Sequence, residues 1–177
     1  MNRRAGTSPS ASARLKEGHE RVRKRIGILT GGGDVPPLNA VIGAAQRAAA
    51  EEKIEIVGFL HGWTGVLESD FVDLKKIHID PRVGGTILKS SRVNIARAED
   101  GISRALSNLE RAAPDGLIVI GGEDTLSNVF HLKSFPQIMI SKTIDNDVGR
   151  IDREGDIGPE SFFNYFTLGF PTAADKI

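Results

Sequence analysis

The chain has 177 residues and a mass of 19.1 kDa, which suits one domain with a real core. Its 23 Lys and Arg balance 23 Asp and Glu, so no net field argues for nucleic acid or a membrane surface. The absence of cysteine excludes disulfides and thiolate chemistry, no apolar run reaches transmembrane length, and an aromatic content of 6% weakens a base-stacking role.

Residues 1–25, "MNRRAGTSPSASARLKEGHERVRKR", carry almost no large apolar side chains and read as a solvated, disordered basic tail. Without an apolar stretch they do not read as a secretory signal, and a plain leader is favoured over an organellar transit peptide. From Arg25 onward the pattern becomes α/β. "RIGILT" is a short apolar strand that runs into glycines, and "LNAVIGAAQRAAAEE" follows with helical spacing. "IEIVGFL" reads as a second strand. "EDGISRALSNLERAA" is an amphipathic helix with Ile102, Leu106 and Leu109 on one face. "DGLIVIGG" is a buried-type strand, "TLSNVFHLKSF" its helix, and "QIMI" the next buried strand. Strands alternating with helices predict a Rossmann-like parallel sheet flanked by helices, over residues 26–177.

In such sheets ligands bind beyond the carboxyl ends of the strands. Three strands end in polar loops: "TGGGD", "GGEDT" and "SKTIDND". A parallel arrangement gathers Asp34, Glu123, Asp124, Asp145 and Asp147 with Lys142 and Thr143 on one edge. Glycines let backbone N–H groups approach an anion, and a helix N-terminus adds a favourable dipole. Carboxylates alone repel a phosphate, but Mg²⁺ between them reverses the sign, and a further aspartate can deprotonate an attacking hydroxyl. The combination therefore points to phosphoryl transfer. Taken singly, "TGGGD" reads equally as a strand-to-helix turn, "GGED" as a turn with an acidic cap, and "TIDND" as turn formers. It is the three loops together that are specific. His61, His78 and His131 lack metal-ligand spacing, and Trp63 reads as packing.

In order along the chain stand "GILTGGGD", "GGTILKSSR", "VIGGEDTL", "KTIDND" and "LGFPTAADKI". These segments, spanning Arg25 to Ile177, resemble the N-terminal part of the phosphofructokinase family. The resemblance implies the donor-binding lobe of a two-lobed α/β enzyme that phosphorylates the C1 hydroxyl of fructose 6-phosphate. It implies that Asp145 is the base, that Thr143 contacts the sugar phosphate, and that Asp147 assists at the phosphoryl centre. Gly32, Gly33 and Arg92 match donor-phosphate contacts, and Thr125 and Lys89 are placed with them. Lys89 stands where the family has glycine, so it either adds a phosphate contact or crowds the loop. Glu123 sits at the Mg²⁺ position, where aspartate is usual.

Family members that use pyrophosphate carry an acidic residue after the metal ligand and a lysine before the threonine. Asp124 and Lys142 occupy these positions and favour pyrophosphate over ATP. A side chain at 124 fills space that a nucleotide needs, and Lys142 supplies a cation to the transferring group. Pro37 replaces a usual glycine at a helix start, where proline is tolerated. The long segment after Asp147 reads as a lid. The sequence stops in what looks like the first turn of a helix, before the family's second lobe, so the expectation is poor turnover by this chain alone. The competing class is a non-catalytic donor-lobe remnant. Lipid or NAD kinases are a weaker likeness, since "TIDND" is not theirs. The complete enzyme is expected to be cytoplasmic and homo-oligomeric, with no nucleic-acid or membrane partner.

Overall fold

The computed structural model describes residues 24–133, 135–146 and 167–175. Strand β1 (Arg25–Thr30) leads through the glycine loop to helix α1 (Leu38–Glu51). Strand β2 (Glu55–Phe59), helix α2 (Trp63–Glu68) and strand β3 (Phe71–Asp73) follow. A long connection reaches helix α3 (Gly101–Ala112), strand β4 (Gly116–Gly121) and helix α4 (Glu123–Ser127). Strands β5 (Gln137–Thr143) and β6 (Leu168–Gly169) and helix α5 (Phe170–Ala174) complete the described elements.

The six strands form one sheet in the order β3-β2-β1-β4-β5-β6. Every pairing is parallel except β2 with β3, which is antiparallel through Val57↔Asp73 and Phe59↔Phe71. The chain winds outward from β1 in one direction, then returns to add β4 on its other side. The order therefore reverses between β1 and β4, the point beyond whose carboxyl ends ligands bind in such sheets.

The core follows the two-residue period of the strands. Leu29, Val57 and Val119 face one side, with Trp63 and Val66 of α2 and Ala105 and Leu109 of α3. Ile28, Ile56 and Ile120 face the other, with Leu38 and Ile42 of α1. Helices thus cover both faces of the central strands. The parallel α/β architecture and the helices at 38–51 and 101–112 agree with the sequence expectation.

Three local expectations are corrected. Helix α2 and strand β3 lie in a stretch given no element, because each is too short to show a period. The helix expected over "TLSNVFHLKSF" is one turn of α4 followed by a tighter 3₁₀ segment, Asn128–Leu132. The side chain of Asn128 diverts the backbone there: its amide donates to the Asp124 carbonyl (2.7 Å), and its carbonyl accepts from Ile95 N–H (2.7 Å). Finally, β5 is not a buried strand. Ile138 is 64% and Met139 47% exposed, while Lys142 is only 3% exposed. Pro37 caps α1 at its start as proline can, where Val41 N–H bonds its carbonyl. The tail through residue 23, Asp147 and the expected lid as far as residue 166 lie outside the described residues, while Arg25, expected to end the tail, instead opens β1.

Candidate functional site

Because β1, β4 and β5 are parallel neighbours, their following loops share one edge. A backbone bond from Gly31 N–H to the Ile120 carbonyl (2.9 Å) stitches the first loop to β4 at the switch in strand order. Gly32 N–H then bonds the Ser91 carbonyl (3.0 Å), which brings in the "KSSR" connection.

Each glycine of "TGGGD" answers to a different demand. A Cβ on Gly31 would lie 2.5 Å from the Thr125 hydroxyl oxygen. Gly32 has φ +79°, which L side chains rarely adopt, and a Cβ there would lie 3.1 Å from the Lys142 Nζ. A Cβ on Gly33 would meet nothing within 4 Å. Packing among the described residues thus explains the first two glycines and leaves the third to whatever approaches from solvent.

Thr30, at the carboxyl end of β1, anchors the next loop. Its buried hydroxyl donates to the Lys89 carbonyl (2.8 Å) and meets the Thr86 hydroxyl at 2.9 Å. Lys89 adopts φ +59°, a conformation in which glycine carries no Cβ penalty. A lysine at this position therefore costs backbone strain. Lys89 and Arg92 are both exposed.

Helix α4 starts at Glu123, so Glu123 and Asp124 occupy its first turn and are exposed. Thr125 is buried against Gly31 and Gly121, and its backbone carbonyl accepts from the Trp63 indole N–H (2.9 Å). Thr125 therefore supports the glycine loop from below, and Trp63 packs in the core as expected. Asn128 ties α4 to the connection before α3, a role visible in the sequence only as an asparagine within an otherwise helical pattern.

At the end of β5, Thr143 and Asp145 are locked together. The Thr143 hydroxyl accepts from Asp145 N–H (3.1 Å) and lies 3.3 Å from the Asp145 Oδ2, to which it donates. Asp145 is exposed and points its carboxylate from a short turn. Asn146 is the turn former, with φ +56°, and its side-chain oxygen accepts from Thr167 N–H (2.8 Å). The buried Thr167 hydroxyl donates to the Thr143 carbonyl (2.8 Å). Thr167 was not anticipated; its bonds to Asn146 and Thr143 depend on a contact distant in sequence.

Lys142 runs beneath the glycine loop and its ammonium donates to the Gly33 carbonyl. Burial pushes its pKa down; Asp34 opposes this, and Arg92 adds to it. No three His, Asp or Glu side chains among the described residues cluster as a metal cage. Mg²⁺ bound beside phosphate needs only one or two carboxylates, because donor oxygens and water fill the remaining positions. The exposed Glu123, at a helix N-terminus on the same edge, fits that requirement. A separate shallow cavity of about 350 Å³, lined by Asn39, His78, Ile79, Asp80, Val83 and Thr86, includes none of the expected site residues. No helix among the described residues is long and apolar enough to cross a membrane.

Comparison with known proteins identifies relatives of this chain. The chain is 36% identical over 159 residues to a protein from Dictyoglomus thermophilum named pyrophosphate–fructose 6-phosphate 1-phosphotransferase, covering 88% of this chain and 42% of that one. It is 42% identical over 156 residues to a protein of the same name from Streptomyces coelicolor (84% and 42% covered). It is also 43% identical over 154 residues to ATP-dependent 6-phosphofructokinase 3 of that organism (84% and 41%). The chain thus spans about two fifths of the length of these relatives. The fold matches phosphofructokinase from Pichia pastoris in the T-state, with a TM-score of 0.60 at 24% identity, over 83% of this chain and 18% of that one. A pyrophosphate-dependent phosphofructokinase from Nitrosospira multiformis gives 0.58 at 21% identity, over 71% and 35%. The family model for phosphofructokinase matches residues 25–177, and the chain belongs to the phosphofructokinase family.

Proposed function

We propose that this chain is the donor-binding lobe of an enzyme that moves a phosphoryl group from pyrophosphate to the C1 hydroxyl of fructose 6-phosphate. The observation that carries this reading is the Thr143–Asp145 pair held at the end of β5, beside a glycine loop that rests on the Lys142 ammonium. Asp145 would take the C1 hydroxyl proton as its oxygen attacks the terminal phosphorus. The bond from that phosphorus to the bridging oxygen breaks, and inorganic phosphate leaves. Gly33 leaves room for the donor, and the exposed Arg92 and Lys89 would meet its charge. Glu123 would hold Mg²⁺, which when bound neutralises the donor oxygens. Thr143 would contact the sugar phosphate, and Asp147 would act at the phosphoryl centre. Thr125 would act through the loop it supports.

The preference for pyrophosphate rests on Asp124 and Lys142. A carboxylate at the start of α4 repels and crowds a nucleotide's further phosphate, and Lys142 compensates charge in the transition state. An ATP-dependent activity is the alternative, favoured by the 43% identity to a relative of that name. A donor lobe without turnover of its own is a third reading, favoured by the coverage of two fifths of the relatives. The cytoplasm and a homo-oligomer of the complete enzyme belong to the same proposal.

The test uses the chain joined to a second lobe. Asp145→Ala is expected to lower kcat by about 10²- to 10⁴-fold while sparing donor binding; an unchanged kcat removes Asp145 from the role of base. Measuring kcat/KM for both donors across Asp124→Gly, Lys142→Gly and the double variant decides the donor. Asp124→Gly alone should lower pyrophosphate use more than it raises ATP use, and Lys142→Gly should then improve ATP further. A starting enzyme that already prefers ATP defeats the pyrophosphate reading.

A further inference from the structure

The glycine loop has a support that its own sequence does not supply. Lys142 belongs to β5, yet its side chain reaches the loop that follows β1, two strands away in the sheet. A residue with a long flexible chain and a full charge is rarely as buried as this one, 3% exposed. Its burial has a partner, the Gly33 carbonyl, and a shaped path, since Gly32 has no Cβ to stand in the way. The charged groups acting on the ammonium are Asp34, which attracts it, and Arg92, which repels it. Asp34 also spans outward: its Oδ1 accepts from the Ser90 hydroxyl at 3.5 Å, at the edge of bonding distance.

We propose that Lys142 is a positioning residue for the 31–34 loop, fixing it from below through Gly33, so that the donor cradle is formed before any donor arrives. An ammonium carries three donors, so the bond to Gly33 leaves others to turn toward a phosphate. This role rests on the reading of this edge as a phosphoryl-donor site and adds to it an order of events. The cradle costs no reorganisation when the donor enters, because its shape is already held.

Hydrogen exchange of the 177-residue chain, with no donor present, tests the support. The Gly32 amide, bonded to the Ser91 carbonyl, is the probe. A hydrogen bond from a charged group contributes about 1.5–3 kcal/mol, so Lys142→Met is expected to speed Gly32 exchange roughly tenfold or more. The Ala105 and Leu109 amides of α3 should not change. Unaltered Gly32 exchange with an intact α3 overturns the proposal. Should Lys142→Met unfold the chain, the decision passes to NMR of the starting chain: a coupling across the hydrogen bond from the Lys142 Nζ to the Gly33 carbonyl carbon is expected, and its absence overturns the proposal. Titration with magnesium pyrophosphate is a separate arm. A chain that shows the Lys142 effect but binds no pyrophosphate supports the positioning role of Lys142 and overturns the donor reading.

Discussion

The centre of the sheet and its β5 flank are built to different standards of cover. In β1 and β4, Leu29 and Val119 sit in one apolar layer and Ile28 and Ile120 in the other, so both faces are sealed by helices. On β5 only Ile140 packs against a core cluster, while Ile138 and Met139 are largely open and nearby Phe130 of the 3₁₀ segment is 61% exposed. Among the described residues, β6 pairs with β5 only at Lys142 and Thr143. The turn at 143–146 therefore follows a strand with little apolar cover. What holds that turn is polar: Thr143 to Asp145, and Thr167 to both Thr143 and Asn146. Stability and the candidate chemistry are placed in different halves of one sheet.

Four substitutions probe that contrast. The largest effect is expected at Phe59, fully buried on β2 and in edge-on contact with Phe71 (ring centroids 5.7 Å apart). Phe59→Ala should cost about 3–5 kcal/mol in denaturant unfolding. The glycine loop comes next. Gly31→Ala should cost about 1–3 kcal/mol, because the new methyl overlaps the short, buried Thr125 side chain. Gly33→Ala should leave stability within about 0.5 kcal/mol and instead weaken pyrophosphate binding, since only the solvent side is filled. Equal thermal midpoints for the two alanine variants would show that the loop is not held from beneath. The smallest effect is expected on the open flank, where Ile138→Thr should change stability by no more than about 0.5 kcal/mol. A loss there as large as at Phe59 would erase the distinction between the two halves.

Lys142 adds a dependence on pH. Its folded-state pKa lies below its ordinary value, so the folded chain releases this proton first as pH rises. In the alkaline window between the two values the unfolded chain binds more protons, and the lysine's contribution to stability increases with pH. Comparing the pH slopes of unfolding for the starting chain and Lys142→Met isolates that contribution.

The central strands were legible because an apolar run ending in glycine has one common use in an α/β chain, and α1 and α3 because their apolar spacing is long enough to repeat. The loops that gather at the site followed from parallel pairing. β5 misled for a physical reason: "QIMI" has the composition of a covered strand, but cover is supplied by neighbours distant in sequence. The burial of Lys142 was hidden likewise, since a lysine after an apolar run ordinarily marks the point where the chain meets water. Thr30 and Thr167 look like ordinary threonines until the carbonyls of Lys89 and Thr143 are brought to them. Lys89 was recognisable as a substitution for glycine, but its positive φ could be read only from the fold.

The Thr167 clamp sets the turn from a distance. Asn146 and Thr167 stand 21 positions apart, yet a 2.8 Å bond joins them, and a second bond from Thr167 reaches the strand itself. The carboxylate of Asp145 thus keeps its station beside Thr143 partly through a residue that is its neighbour in space and not in sequence, so that a substitution at 167 can reach position 145 without touching it.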